Sequence, residues 1–145
     1  MKILVATDGS ESALQAVKYA AQLVGMLRPG THSISLINVH DDAGLRHAKA
    51  FVGGTAVADY LRELGEEEIL PARKLLEAAN IPHDLVMRNG HTAQEIINCA
   101  EAGQFDLIVM GAKGRGAMAD LLLGSVAQRV LAAAKPPVLL VKQVG

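Results

Sequence analysis

A single cysteine, Cys99, excludes an internal disulfide and fits a reducing compartment. Tryptophan is absent, and two Tyr and two Phe are the only aromatic residues, although half of the chain is apolar. A core made from this chain has to be aliphatic, built from Ala, Val, Leu and Ile. Neither sign of charge dominates: 14 basic and 15 acidic residues leave a net charge of −1. That balance excludes the electrostatic footprint expected of a nucleic-acid or anionic-membrane binder. The opening Met1-Lys2-Ile3-Leu4-Val5 is apolar over too short a stretch for a signal peptide or a membrane span. The expectation is one soluble cytoplasmic domain over residues 1–145, large enough to bury its own core.

What is present is alternation. Short β-branched runs at Lys2 to Ala6, Ser33 to Val39, His83 to Met87, Asp106 to Met110 and Pro137 to Lys142 read as strands. Between them lie helical patterns. Ser10 is a good N-cap for a helix with Ala13, Val17, Ala20, Ala21 and Val24 on one face. A long helix is expected from about Ala56 to Ala79, with Leu61, Leu64, Ile69, Ala72, Leu75 and Leu76 inward and a kink or break at Pro71. Thr92-Ala-Gln-Glu95 reads as a capping box before Ile96, Ile97 and Ala100. The last helix runs from Ser125 to Ala134, with Val126, Val130 and Leu131 apolar. His40 to Thr55 lacks a clean period and reads as a long surface loop. Strands alternating with helices predict a parallel sheet covered on both faces, a doubly wound three-layer α/β sandwich. Its strands read as continuously apolar, in keeping with burial on both sides.

The stretch richest in chemistry is Gly111-Ala-Lys-Gly114, nine residues, then Gly124-Ser125. It begins after an apolar strand and ends before a helix. Glycines there permit positive φ and close approach of backbone N–H groups to a ligand. Ser125 is placed to cap the following helix, whose N-terminus offers unpaired donors and partial positive charge. Together these parts predict a cradle for the phosphates of a nucleotide. Ala6-Thr7-Asp8 after strand one and Asn38-Val39-His40 after strand two should face the same crevice. Asp8 is read either as a ligand to ribose hydroxyls or a metal, or as the acceptor of an Asx-turn. Other glycine motifs fail. Gly114-Arg-Gly116-Ala-Met-Ala119 has too little chain behind it for a dinucleotide fold, and no Lys-Ser/Thr follows a last glycine as a Walker loop requires. Asp41-Asp42 follows the wrong strand for a phospho-acceptor receiver domain.

Ala6-Thr7-Asp8-Gly9-Ser10, Asn38-Val39-His40, and Gly111-x2-Gly114-x9-Gly124-Ser125 followed by Pro137-Val-Leu-Leu-Val141 resemble the universal stress protein family. The match spans essentially the whole chain, and the glycine pattern is similar to that family's ATP-binding signature. The resemblance implies the adenine-nucleotide alpha-hydrolase-like fold, with strand order 3-2-1-4-5. It also implies an ATP ligand (or AMP or ADP), with Mg²⁺ or Mn²⁺ carried on the phosphates. Ala6 and Val39 would border adenine, Val39 reading its edge through the backbone. Thr7 belongs to the same strand end, and Asp8 would hold ribose. Met110, Gly111, Lys113 and Gly114 would contact ribose and phosphates, and Gly124, Ser125 and Val126 the phosphate tail. Three departures stand out: Ala6 where many relatives carry Pro, Ala127 where some carry a hydroxyl, and Lys113 where His or Arg is common.

The family implies a homodimer through antiparallel pairing of the last strand, with Val138, Leu139, Leu140 and Val141 as contacts. His40 reads as structural, and His40 and His47 with Asp41-Asp42 lack metal-ligand spacing. Cys99 reads as buried or half-buried, and Glu66-Glu67-Glu68 as a solvated helix face. No nucleophile, base or paired-carboxylate set can be placed at the phosphates. The expectation is therefore a nucleotide-responsive stress protein rather than a fast catalyst. Slow hydrolysis or autophosphorylation at Ser10 or Ser125, and a pure interaction module, are the alternatives.

Overall fold

The computed structural model describes residues 1–41, 53–114 and 122–143. Strands β1 (Lys2–Ala6), β2 (Ser33–His40), β3 (His83–Asn89), β4 (Leu107–Gly111) and β5 (Val138–Val141) alternate with helices α1 (Glu11–Met26), α2 (Gly54–Ala78), α3 (Thr92–Ala102) and α4 (Ser125–Ala133). The sheet is all parallel in the expected order β3-β2-β1-β4-β5. Ala6 pairs with Ile37 and Ile3 with Leu107, so β1 is the central strand.

Alternate residues of each strand feed two aliphatic layers. Ile3, Val5, Ile34, Leu36 and Val109 pack under α1 and α2 with Ala16, Val17, Ile69 and Leu76. Leu4, Ile37, Ile108 and Met110 pack on the other face with Ile96, Ile97, Ala127 and Val130. Each fully buried Ile, Leu or Val contributes about 1.5–3 kcal/mol by leaving water. The inward positions expected for α1, α2 and α3 are buried or half-buried. In α4, Val130 is buried, but Leu131 turns outward and is 49% exposed.

Several local expectations are corrected. Of the kink or break expected at Pro71, the break does not occur, since helix α2 continues through that residue. Pro71 and Glu67, whose carbonyl loses its partner, both lie on the exposed face, where that carbonyl is open to solvent. The capping box at Thr92 does not form: His91 occupies the cap, and Thr92 is already the first helical residue. Of the loop expected from His40 to Thr55, His40 ends β2, Gly54 and Thr55 open α2, and positions 42–52 lie outside the described residues. Strand β3 extends to Asn89 and, as an edge strand, is largely exposed rather than buried on both faces.

Candidate functional site

The carboxyl ends of β1, β2 and β4 open on one cavity of about 350 Å³, within the range of small-ligand sites. Its walls include Ala6, Thr7, Asp8, Val39, Met110, Gly111, Lys113, Gly114, Gly124, Ser125 and Val126. All eleven residues named from the sequence are therefore brought together. The wall also contains Ala13, Ile37, Thr92, Ile96 and Ala127. Ile37 was legible as the residue two before Val39, which shares its face of β2. Ile96 and Thr92 lie one helical turn apart on α3, on the stripe that meets that face.

The β1 arm is held by side-chain bonds. Thr7 is 5% exposed, and its N–H extends the ladder by donating to the Ile37 carbonyl at 2.9 Å. The chain then turns at Gly9, whose φ of +82° favours glycine. Asp8 Oδ1 accepts from the Ser10 N–H at 2.9 Å, the Asx-turn geometry. Ser10 Oγ accepts from the Ala13 N–H at 3.2 Å and caps α1 as expected. The structural role of Asp8 is thus real, and its carboxylate also lines the cavity.

The glycine arm is built differently. The Ala112 N–H donates to the Val141 carbonyl at 3.0 Å, and the Gly124 N–H to the Ala112 carbonyl at 2.7 Å. These bonds draw the two glycine segments together, so that a Cβ on Gly124 would lie 3.4 Å from Lys113 Cα and 3.5 Å from Gly114 N. Two expectations change here. None of Gly111, Gly114 and Gly124 adopts positive φ. What they supply is space: a Cβ on Gly111 would collide with Ser12 Oγ and sit 3.0 Å from the Ser12 backbone, and one on Gly114 would lie 2.9 Å from Asp8 Oδ2. Ser125 is not the cap. Gly124 takes that place in extended backbone (φ −71°, ψ 162°), and its own N–H is turned to Ala112 rather than to the cavity.

The first intrahelical bond of α4 runs from the Gln128 N–H to the Gly124 carbonyl at 3.0 Å. The amides of Ser125, Val126 and Ala127 precede it and have no acceptor one turn back. They belong to residues of the cavity wall. Such a helix start suits an anion. Among the described residues Asp8 is the one acidic and Lys113 the one basic member of the wall, and none of its described members is His or Cys. Among the described residues no group of three or more His, Cys, Asp or Glu could hold a metal ion. No described helix is long and apolar enough to cross a membrane.

Off the cavity, His40 Nε2 stands 3.6 Å from Glu68 Oε2, so Glu68 does not share the solvated face of Glu66 and Glu67. Cys99 is buried on α3; burial pushes its thiol pKa up, and nearby Arg88 partly opposes that shift.

A model of the universal stress protein family matches residues 1–142. Universal stress protein MJ0531 of Methanocaldococcus jannaschii is 34% identical over 142 residues, covering 98% of this chain and 82% of its own length. Universal stress protein MJ0577 of the same organism is 30% identical over 156 residues, covering 98% and 94%. The solved structure of MJ0577 is similar with a TM-score of 0.86 over 99% of this chain and 96% of that one, at 28% identity. A universal stress protein solved in complex with cAMP is similar at a TM-score of 0.59 and 26% identity, covering 98% and 96%. The sheet order and flanking helices are those of the adenine-nucleotide alpha-hydrolase-like fold. By the extent of the family match and the identity to its members, this chain belongs to the universal stress protein family.

Proposed function

We propose that the cavity binds an adenine nucleotide, ATP in the first place, and that the protein works as a nucleotide-responsive member of its family in the cytoplasm. The observation that carries this reading is that an aliphatic wall, Asp8 and the first residues of a helix line one cavity. Ala6, Ile37, Val39, Ile96 and Met110 offer a slot for a flat base, with the Val39 backbone to read its edge. Asp8 accepts from ribose hydroxyls. Lys113, Gly114 and the first turn of α4 receive the phosphates. A divalent ion would ride on those phosphates and screen their charge, with Asp8 the carboxylate that the described wall could offer it. The cAMP complex of a family member supports a nucleotide of this class.

The energetics are adequate. Hydrogen bonds to charged phosphate contribute about 1.5–3 kcal/mol each. Ordering costs of several kcal/mol offset part of this, and about −8 kcal/mol corresponds to micromolar affinity. Among the described residues the cavity wall carries no His or Cys nucleophile and no second carboxylate, which favours binding over rapid phosphoryl transfer. Ser125 lines the cavity without being the cap, so slow transfer of the γ-phosphoryl group to its hydroxyl, releasing ADP, is the second reading.

Strand β5 lies at the sheet edge with Val138, Leu139, Leu140 and Val141 half-buried, which supports pairing with a second copy into a two-fold dimer. Calorimetry with ATP and Mg²⁺ tests the main reading: micromolar binding is expected, and no heat at millimolar nucleotide would end it. The same samples with γ-labelled ATP separate the readings, because a binder returns the nucleotide intact.

A further inference from the structure

The cavity does not account for a buried polar cluster on the opposite face of β2. Asn38 is 1% exposed, at a position where an aliphatic residue would extend the layer formed by Ile34 and Leu36. Its Nδ2 donates to the Thr7 carbonyl at 3.0 Å and to Glu68 Oε2 at 3.2 Å. Both amide hydrogens are therefore engaged. The Glu68 side chain is only 10% exposed and also faces His40 Nε2 at 3.6 Å. Asn38 Oδ1 and His40 Nε2 have no hydrogen-bond partner among the described residues. Gly65, one turn before Glu68 on α2, makes room for the group. A Cβ there would stand 3.0 Å from Asn38 Oδ1 and run into Met87 Cε.

The arrangement has a direction. The Thr7 carbonyl and the Asp8 N–H belong to one rigid peptide plane. Asn38 grips that plane from beneath, while the Thr7 N–H is fixed to Ile37 on the residue's other side. The next side chain along is the Asp8 carboxylate on the cavity wall. Rotation of the Thr7–Asp8 peptide would swing Asp8, and the Asn38 amide prevents it. Glu68 fixes which way that amide points, because only its NH₂ side can donate to both acceptors.

We propose that Asn38 is a positioning residue for Asp8, oriented by Glu68, and that recognition of sugar hydroxyls depends on this buried relay. The inference rests on the nucleotide-binding reading and names how the ribose subsite is set.

The test is calorimetry with AMP and with its 2′,3′-dideoxy analogue, on the intact protein and on Asn38→Leu, Asp8→Ala and the double variant. Asn38→Leu should weaken AMP about tenfold and leave the dideoxy analogue unchanged. The double variant should bind AMP no more weakly than Asp8→Ala, the behaviour of two residues acting through one contact. Equal loss for both ligands, losses that multiply in the double variant, or no loss at all would each overturn the proposal. Glu68 variants guard against misfolding of Asn38→Leu. Glu68→Leu should lose about threefold for AMP alone, and Glu68→Gln, which keeps an acceptor for the amide, should restore it. Unchanged AMP affinity in Glu68→Leu also refutes the relay. If the unaltered protein ignores both ligands and ATP as well, the nucleotide reading itself fails, and the inference falls with it; if it binds ATP but neither of these, only the inference falls.

Discussion

The two arms of the cavity reach similar positions by opposite means. The β1 arm, Thr7 to Ser10, is fixed by polar side chains: Asn38 holds Thr7, Asp8 holds the Ser10 amide, and Ser10 caps α1. The glycine arm is fixed by missing side chains, which let Ser12, Asp8 and the Lys113–Gly114 backbone come close. One arm presents an acceptor and the other presents donors. The lesson is that a glycine in a ligand-binding pattern can be required by the protein's own packing as much as by the ligand.

Substitutions within the glycine arm give the sharpest break in that comparison. Gly111→Val should destabilise the fold by about 2–3 kcal/mol, because the added carbon meets Ser12, including the backbone of α1. Gly114→Ala should cost less than about 1 kcal/mol, since its clash is with the movable end of Asp8. It should nevertheless weaken ATP about tenfold by displacing that carboxylate. Urea unfolding beside calorimetry checks both, and equal stability losses would erase the distinction.

The β1 arm predicts a smaller effect. Ser10→Ala removes the acceptor for the Ala13 N–H and should lower stability by about 1 kcal/mol. ATP affinity should change little, because Asp8 keeps the Ser10 backbone N–H. A variant whose urea midpoint does not move would show that the α1 cap contributes nothing measurable.

Smallest is a pH effect from outside both arms. Burial raises the Cys99 thiol pKa above its unfolded value. Below the ordinary thiol range both states stay protonated and stability is unaffected. As pH rises through that range the unfolded chain loses its proton first, so the native state loses ground. Urea midpoints at about pH 8 and about pH 10 should diverge more for the natural protein than for Cys99→Ala.

Much of this was legible because short apolar runs and helical stripes alternate without interruption, which leaves few ways to wind the sheet. The cavity wall was legible where strand ends carry it. Ser125 and Thr92 were misjudged as caps because capping chemistry is shared by neighbouring positions. Only backbone geometry shows that Gly124 and His91 take those places. Glu68 was missed for another reason: three successive glutamates look uniform. Yet Leu61, Gly65, Glu68 and Ala72 lie on one helical stripe, and that phase alone turns Glu68 inward. The collision that demands glycine at 111 is tertiary and leaves no mark in the local pattern.

The hydrogen bonds from the Ala112 N–H to the Val141 carbonyl and from the Gly124 N–H to the Ala112 carbonyl splice the mouth of α4 onto the outermost strand. The helix start therefore inherits the stiffness of the sheet, although it follows a connecting segment in the chain. Its unpaired amides are held in place before any ligand arrives, so a bound anion would not have to order them, and the entropic toll of capture would fall mainly on the guest.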